Sequence, residues 1–385
     1  MSGDQIDRVL EAAVQSGGVP CVVAVAADDH GVVYEGAAGP RTPGGSDAVT
    51  PDTMLRIASM TKMVATVAAL QQVERGALDL DAPVDSYRPE FADVPVLDGF
   101  DGGTPRLRPA ATRATVRQLV THTTGLGYWF LNAELARWEQ VTGNRNVMSG
   151  SMDVFKAPMT ADPGTRFEYG INIDWLGLVV EAVTGRSLDK YIAESVTGPL
   201  GMDSTTWLMT PGQRADSIPI HVRGEDGAWL ATELDWSQEP QCWAGGHGLY
   251  STPGDYLRFQ RMLLGGGELG GERILQPETL EAAFRNQIGP LDFPPEIRSA
   301  DPPVTCDINL GPGLKWGLGL LLNEQGLPGM RAAGSGAWAG LFNTHFWVDP
   351  TSRLTAAIYT QLLPFAEPSA FQLLIDYELA LYAGR

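Results

Sequence analysis

The strand-forming segments of this sequence lie at its two ends, and helical patterns fill the space between them. Residues 21–38 read as a hairpin, and three further strand-like runs, 316–322, 340–349 and 353–361, follow near the carboxyl end. Strands need a common layer in which to bury their apolar faces. The pattern therefore predicts one sheet assembled from both ends of the chain, with a mainly helical region inserted between its halves.

Composition narrows the range of functions. The chain has 385 residues, is 44% hydrophobic and carries a formal net charge of −19. An acidic surface repels phosphate backbones, so we expect no nucleic-acid partner.

The first residues lack the pattern of a signal peptide, and no window is long and apolar enough for a membrane span. Three widely spaced cysteines, Cys21, Cys242 and Cys306, fit free thiols, so we expect a cytoplasmic protein. The sequence has neither HExxH nor CxxC, so we expect no metal.

A serine and a lysine stand three residues apart in the apolar run RIASMTKM, residues 56–63. On a helix Ser59 and Lys62 would share a face. A lysine there either eases deprotonation of the serine or, if burial lowers the lysine pKa, accepts the proton. The alternative is a capping serine followed by a solvated lysine. A second such pair, Ser187 and Lys190, fits that structural role.

Other segments hold further candidate groups. Tyr169 precedes a helical pattern and is either a second proton carrier or a half-buried structural tyrosine. Trp338 follows a run of small residues and either walls an apolar pocket or belongs to the core. His122, in HTTGLG, is an alternative base, although we favour a structural turn there. No GxSxG serine elbow occurs, which argues against an α/β-hydrolase.

Six ordered segments resemble class C β-lactamase-like hydrolases of the serine β-lactamase and penicillin-binding-protein superfamily, with the family VIII carboxylesterases as the nearest group. They are LRIASMTKMVATVAAL, RGALDLDAPVDSYRPEF, VRQLVTHTTGLGY, PGTRFEYGINIDWLGLVVEAVTG, GGHGLYSTPGDYLRFQRMLLGGG and THFWVDP. The resemblance implies an α/β protein of the α+β type, with an antiparallel sheet flanked by terminal helices. It implies a discontinuous sheet domain, 1–58 and 314–385, a mostly helical domain, 59–313, and an active site between them.

The resemblance also implies roles for individual residues. Ser59 would be the nucleophile, Lys62 its partner and Tyr169 the general base and acid, its phenol acidified by Lys62. The backbone N–H groups of Ser59 and Leu341 would form the oxyanion hole. The expected pocket residues are Trp338, Ala339, Gly340, Tyr128, Trp129, Phe130 and Trp243, although core packing explains any of these aromatic residues equally well.

Two departures from the β-lactamase pattern bear on the substrate. Ile171 occupies the place of the asparagine in Tyr-x-Asn, and Asn172 is one residue late. Trp338 occupies the place of the lysine in Lys-Thr-Gly, where the esterases usually carry Trp-Gly-Gly. Both lost groups would bind the amide and carboxylate of a β-lactam. A shifted helix start could still bring the Asn172 amide into the site.

These features predict a serine carboxylesterase that cleaves short-chain esters through an acyl-enzyme on Ser59. The alternatives are a β-lactam or other amide hydrolase, an acyltransferase on the same scaffold, and a catalytically silent binding protein. We expect a small-molecule ester as partner, no cofactor and no membrane association, and leave the oligomeric state open. Long acyl chains should be poor substrates, because no segment indicates an extended apolar trough.

Overall fold

A seven-stranded antiparallel sheet, built from both ends of the chain, forms the centre of the molecule. The computed structural model describes residues 3–383. In chain order the strands of this sheet are β1 (Val22–Asp28), β2 (Val32–Ala38), β3 (Leu314–Trp316), β4 (Leu321–Asn323), β5 (Ser335–Gly340), β6 (Thr344–Asp349) and β7 (Leu354–Tyr359). Their spatial order is β3-β4-β5-β6-β7-β1-β2. The expected sheet from both chain ends is confirmed, and β1 pairs with β7 from Val23 opposite Tyr359 to Asp28 opposite Leu354.

Two terminal helices cover one face of the sheet, which we call the outer face. These are α1 (Gly3–Gln15) and α10 (Pro368–Tyr382), and they pack against each other as well as against the strands. Tyr377 of α10 fixes its helix to the sheet by donating a hydrogen bond of 2.9 Å to the carbonyl of Val25. Because the other face is also covered, every residue of β1 from Val22 to Ala27 is buried.

The inserted region supplies the layer on the inner face of the sheet. Its helices are α2 (Thr61–Glu74), α3 (Val116–Val120), α4 (Ala133–Thr142), α5 (Asn172–Thr184), α6 (Leu188–Ile192), α7 (Pro211–Ala215), α8 (Pro253–Leu264) and α9 (Pro277–Ala283). Short 3₁₀ or π turns occupy Ala58–Met60, Val84–Ser86, Pro89–Asp93, Trp129–Leu131, Val147–Ser149, Met152–Lys156 and Ala193–Thr197. α8 packs on β1, β6 and β7, and α2 packs on α5.

Five two-stranded ribbons interrupt the helices. They pair Leu55–Arg56 with Tyr250–Ser251, Val96–Asp101 with Thr104–Arg108, His221–Arg223 with Trp229–Ala231, Glu268–Leu269 with Glu272–Arg273, and Glu296–Ile297 with Ile308–Asn309. The segments 98–113 and 289–313 are rich in glycine and proline, which predicts loops, but two of these ribbons lie partly or wholly within them. The division of the chain into two domains at the boundaries given above stays a prediction.

Two element predictions need correction. The run 316–322 is not one strand but a tight hairpin between β3 and β4, because Gly319 adopts a φ of +86° that turns the chain. Apolar residues at helical spacing predict a helix over 59–74 with one apolar face. In the structure this helix begins at Thr61 and is buried on all sides from Thr61 to Gln72. A helix surrounded by protein has no solvent face, so its pattern need not be amphipathic. Among residues 3–383, none of the helices combines the length and apolar character that a membrane crossing requires.

Candidate active site

Ser59 lies on a strained turn at the entrance to α2. The short strand Leu55–Arg56 leads into the 3₁₀ turn Ala58–Met60, and α2 follows at once. Ala58 has a φ of +45°, in the left-handed region that costs a residue with a side chain of order 1–3 kcal/mol. The neighbouring backbone is held by a hydrogen bond of 3.2 Å from the Ile57 N–H to the Leu249 carbonyl. Ser59 is therefore presented at a fixed position, half-buried, next to the core of the protein.

Lys62 contacts the Ser59 hydroxyl from one helical turn further along the chain. Its Nζ lies 3.2 Å from Ser59 Oγ, 2.9 Å from the Tyr128 hydroxyl and 2.7 Å from the Gly246 carbonyl oxygen. The side chain is almost completely buried, with 1% of its surface exposed. Burial lowers the pKa of Lys62 to about 7, and the negative charge of Asp174 opposes this shift. The lysine is therefore partly neutral at neutral pH, in contact with the serine.

Asp174 and Gly246 extend this contact, and sequence reasoning did not find them. The Gly246 N–H donates to Asp174 Oδ1 at 3.0 Å, so the backbone of this one residue joins the lysine to a buried carboxylate. A Cβ at Gly246 would lie 2.3 Å from Asp174 Oδ2, which explains the glycine. His247 Nδ1 lies 3.7 Å from the same carboxylate. The only signal in the sequence was the glycine-rich run GGHG, and nothing in it indicated a lysine as its neighbour.

Tyr169 stands in the loop before α5, with its ring beside Lys62 and its hydroxyl on Ser59. Lys62 Nζ is 4.7 Å from the ring centroid, and the Tyr169 hydroxyl is hydrogen-bonded to Ser59. Trp338 Nε1 donates to the Tyr169 hydroxyl at 3.0 Å. Burial raises the pKa of Tyr169, and its hydrogen bonds with Ser59 and Trp338 only partly offset this shift. The expectation that Lys62 acidifies this phenol is therefore wrong for the free protein, in which Tyr169 is protonated.

Tyr128 was expected to line the substrate pocket, and the structure gives it a different position. Its hydroxyl binds Lys62 Nζ directly, and its ring is stacked on Phe130 at 5.0 Å and packs edge-on to Tyr169 at 5.4 Å. The side chain is buried, with 4% exposed, and burial holds the pKa of its phenol well above the ordinary value. Tyr128 therefore orients the lysine.

The end of β5 lies against the backbone that leads into Ser59. A Cβ at Gly340 would be 2.3 Å from the Ile57 carbonyl oxygen, so only glycine permits this approach. Leu341 follows directly, and both residues line the same cavity as Ser59. Their shared cavity is consistent with an oxyanion hole formed by the N–H groups of Ser59 and Leu341, and this role stays a prediction.

A cavity of about 370 Å³ opens above the Ser59 hydroxyl, and its wall is largely apolar. Tyr169, Trp338, Ala339, Gly340 and Leu341 form the part near the serine. The apolar wall includes Phe130, Leu131, Phe293, Ile297, Ile308 and Leu310. Four of these come from the segment 289–313, whose glycine and proline content had indicated only a loop. The structure therefore has the apolar trough that the sequence did not indicate.

Two expected pocket residues lie outside this wall. Trp129 Nε1 donates to Asp301 Oδ2 at 3.3 Å, and its ring packs edge-on to Phe130. Trp243 packs against Trp207 with ring centroids 6.2 Å apart. Both side chains pack against other residues of the protein, as the core-packing alternative predicts.

Asn172 makes hydrogen-bonding contacts with His122 and with the backbone, not with the cavity. The Asn172 amide nitrogen contacts His122 Nδ1 at 3.0 Å and donates to the carbonyls of Leu126 and Glu168, at 2.9 Å and 3.2 Å. Its oxygen accepts from Thr124 Oγ1 at 2.5 Å. Asn172 is the first residue of α5, and its amide is fully used for structure. The possibility that a shifted helix start brings this amide to the substrate is therefore wrong.

The second serine and lysine pair, Ser187 and Lys190, takes no part in the site. Ser187 is the residue before α6, the expected position, but its side chain makes no capping hydrogen bond. The first N–H of the helix, at Leu188, is instead bound by Glu181 Oε1 at 2.9 Å.

Comparison with known proteins agrees with this geometry. The family model described as Beta-lactamase matches residues 6–378. The chain belongs to this family. Monacolin J acid methylbutanoyltransferase of Aspergillus terreus is a relative with 31% identity, covering 98% of this chain and 95% of that protein. Lovastatin esterase of Penicillium rubens is 29% identical over 91% of this chain and 90% of its own length.

Two solved structures have a similar fold. A mutant of simvastatin synthase from Aspergillus terreus superposes with a TM-score of 0.84 at 30% identity, covering 100% of this chain and 98% of that chain. EstCE1, described as a hydrolase with promiscuous acyltransferase activity, has a TM-score of 0.80 at 22% identity and covers 98% of each chain. The serine β-lactamase-like fold expected from the sequence is confirmed.

Proposed function

We propose that this protein is a serine acyltransferase that moves an acyl group from an ester-type donor to the hydroxyl of an apolar acceptor through an acyl-enzyme on Ser59. One observation carries the proposal: Ser59 and a lysine with a lowered pKa lie 3.2 Å apart at the floor of an apolar cavity. A nucleophile needs an adjacent base, and a base is most effective when its pKa is near the working pH.

The lysine contacts suit its neutral form. A neutral amine has two N–H groups and one lone pair. With the N–H groups on the Gly246 carbonyl and the Tyr128 oxygen, the lone pair is left for the Ser59 hydroxyl. In this proposal Lys62, rather than Tyr169, is therefore the base that first receives the serine proton.

The proposed reaction has two steps, formation of the acyl-enzyme and transfer of the acyl group to the acceptor. Ser59 Oγ forms a bond to the donor carbonyl carbon while its proton passes to Lys62 Nζ. The bond to the donor leaving group then breaks, and that group takes a proton from the Tyr169 hydroxyl, which is replaced from Lys62. In the second half the acceptor hydroxyl gives its proton to the same pair and forms the new ester bond, and Ser59 leaves with a proton restored.

The walls of the cavity support transfer over hydrolysis. The lining is mostly apolar, so an apolar acceptor gains free energy by entering, at roughly 25 cal/mol for each Å² of apolar surface removed from water. Water gains nothing comparable in such surroundings. The names of the relatives also favour transfer, since the methylbutanoyltransferase covers nearly the whole chain.

Ester hydrolysis is the second candidate, and one observation favours it: a lovastatin esterase is also among the relatives. Both reactions share the acyl-enzyme and differ only in what attacks it. Amide or β-lactam cleavage is less well supported, since the Asn172 amide is used internally and Trp338 offers a neutral N–H that is already donated to Tyr169.

The test is a partition experiment. The protein is incubated with 4-nitrophenyl butyrate and with monacolin J acid, the compound named in one relative, and the butyrate ester and free butyrate are measured together. We expect more ester than free butyrate at millimolar acceptor, with both products absent for Ser59→Ala. If only free butyrate forms over a panel of apolar alcohols, the protein is an esterase and the transferase proposal is wrong.

Three properties inferred from the sequence stay predictions. These are a small-molecule ester as partner, the absence of nucleic-acid and membrane partners, and a cytoplasmic location. The partition experiment bears on the first of these.

A further inference from the structure

The cavity above Ser59 continues past the edge of β5 to the other side of the sheet. β4 pairs with β5 only at Ser335, Gly336 and Ala337. Among the described residues no strand pairs with Trp338, Ala339 and Gly340 on that side. The second half of β5 therefore has a free edge, and one cavity is lined both by Ser59 and Trp338 and by residues of α10.

Part of this cavity lies on the outer face of the sheet, and we call that part the outer pocket. It is lined by Ala337, Ala339, His345, Phe371, Leu374 and Ile375. Ala337 lies opposite Trp347 and Ala339 opposite His345 in the pairing of β5 with β6. Paired residues share a face, and Trp347 packs on Tyr377 of α10 with ring centroids 5.7 Å apart. The alanines are therefore directed toward α10, and their small side chains leave the space between strand and helix unfilled.

His345 is a polar side chain in the lining of this apolar space. The side chain is 8% exposed, and its Nε2 is buried without a hydrogen-bond partner. Its ring is stacked on Phe365 at 5.8 Å. Burial and the charge of Arg331 lower the pKa of His345 to about 3, so the imidazole is neutral at physiological pH. An unpaired buried nitrogen costs free energy that a ligand can recover.

The charged groups near the outer pocket are already paired. Arg331 Nε donates to Glu378 Oε1 at 2.7 Å, and a second bond joins the same two side chains. The pair offers no free charge to a ligand, so the chemistry of the pocket favours an uncharged chain with a polar group.

We propose that the outer pocket receives the distal part of the acyl chain carried on Ser59, and that His345 Nε2 hydrogen-bonds to an uncharged hydroxyl or carbonyl on that chain. The inference rests on the proposed function. The acyl group is chosen over the acceptor because its carbonyl oxygen would lie between the N–H groups of Ser59 and Leu341. The chain then starts at the end of β5, beside the free edge.

The first test fills the pocket from its helix. Ile375 is half-buried and lines the pocket, whereas Leu379, one turn further along α10, is 41% exposed and outside the lining. The ratio of kcat/KM for 4-nitrophenyl octanoate to that for the acetate is measured in Ile375→Trp and in the matched control Leu379→Trp. We expect the ratio to fall tenfold or more in Ile375→Trp and to stay within twofold of the unchanged protein in the control. Equal ratios in all three proteins would overturn the proposal.

The second test removes only the polar atom. In His345→Phe the stacking on Phe365 can be kept while the nitrogen is lost. The unchanged protein should prefer 4-nitrophenyl 8-hydroxyoctanoate to the octanoate, and the variant should lose this preference. Failure of the unchanged protein to distinguish the two esters would refute the role of His345.

A binding measurement separates this proposal from the proposed function. 2-Decanone has the carbonyl and the chain but no leaving group, so its binding by calorimetry does not depend on turnover. If no ester reacts, the proposed function is wrong, and weaker ketone binding in Ile375→Trp than in Leu379→Trp would still support the outer pocket. Equal binding, or none to the unchanged protein, would overturn it.

Discussion

At the scale of single residues, the proposed reaction of Ser59 depends on the protonation state of Lys62. The lysine contacts Tyr128, Tyr169 and the Gly246 carbonyl, and its side chain is almost completely buried. Burial disfavours the ammonium form, and the carboxylate of Asp174 partly restores it. The balance of these two effects gives a pKa near the pH at which most enzymes work.

The rate of acyl-enzyme formation should therefore follow the deprotonation of Lys62. With a pKa of about 7, the rate should rise about tenfold per pH unit below pH 7 and level off above it, since only the neutral amine accepts the proton. The measurement is the pre-steady-state release of leaving group from an activated ester between pH 5 and 9. Lys62→Arg should abolish the release, because a guanidinium does not deprotonate. A rate independent of pH over this range would exclude Lys62 as the base.

Asp174 should set the position of this pH profile. In Asp174→Asn the side-chain oxygen can still accept from the Gly246 N–H, but the negative charge that raises the lysine pKa is lost. The acid limb should then move to lower pH, with the plateau rate reduced less than tenfold. Asp226→Asn, on an exposed loop, is the matched control. A purely structural role for Asp174 would lower the rate at every pH and leave the midpoint in place.

At the scale of elements, the reaction centre depends on β5 approaching the turn before α2. The contact is closest at Gly340, where a methyl group would meet the Ile57 carbonyl at 2.3 Å and Thr344 Oγ1 at the same distance. Neither neighbour can move far, because one is backbone and the other belongs to a paired strand. The position of Leu341 relative to Ser59 follows from this contact.

Gly340→Ala should therefore separate the N–H groups of Ser59 and Leu341, which we predict to form the oxyanion hole. We expect kcat to fall by about a hundredfold or more, the loss typical of removing one oxyanion donor. Gly103→Ala is the matched control, since a methyl group there meets no atom within 4 Å. Activity is compared between samples shown to be equally folded by circular dichroism. A Gly340→Ala protein with full activity would show that the end of β5 takes no part in the reaction.

The sequence predicted the main helices and strands better than the turns and side-chain contacts between them. The buried strands at both ends and the helix after Ser59 are apolar runs that a sequence displays directly, because both sides of these elements are covered. The turn at Gly319 and the ribbon at Glu296–Ile297 were missed, because segments rich in glycine lack a recognisable run of this kind. The position of the Asn172 side chain could not be predicted either. A shift of one residue in the start of α5 would decide whether its amide faces the substrate or the backbone.

At the scale of the whole molecule, the site is assembled from segments that are distant in sequence. The contacts around the lysine join four separate regions of the chain, at Lys62, Tyr128, Asp174 and Gly246. Their spacing in the sequence does not indicate that these residues are in contact. The pair Ser59 and Lys62 was found because both lie within one helical turn. The cavity could not be predicted, since its volume depends on how the segment 289–313 and α10 close over the sheet.

The central claim is that Ser59 carries the acyl group and passes it to an alcohol. The most direct measurement is the mass of the intact protein after a brief reaction with 4-nitrophenyl butyrate, followed by peptide mapping and by addition of an apolar alcohol. The account predicts one butyryl group on the peptide containing Ser59, its absence in Ser59→Ala, and its recovery as the butyrate ester of the added alcohol. A butyryl group on another residue, or turnover that persists in Ser59→Ala, would contradict the account.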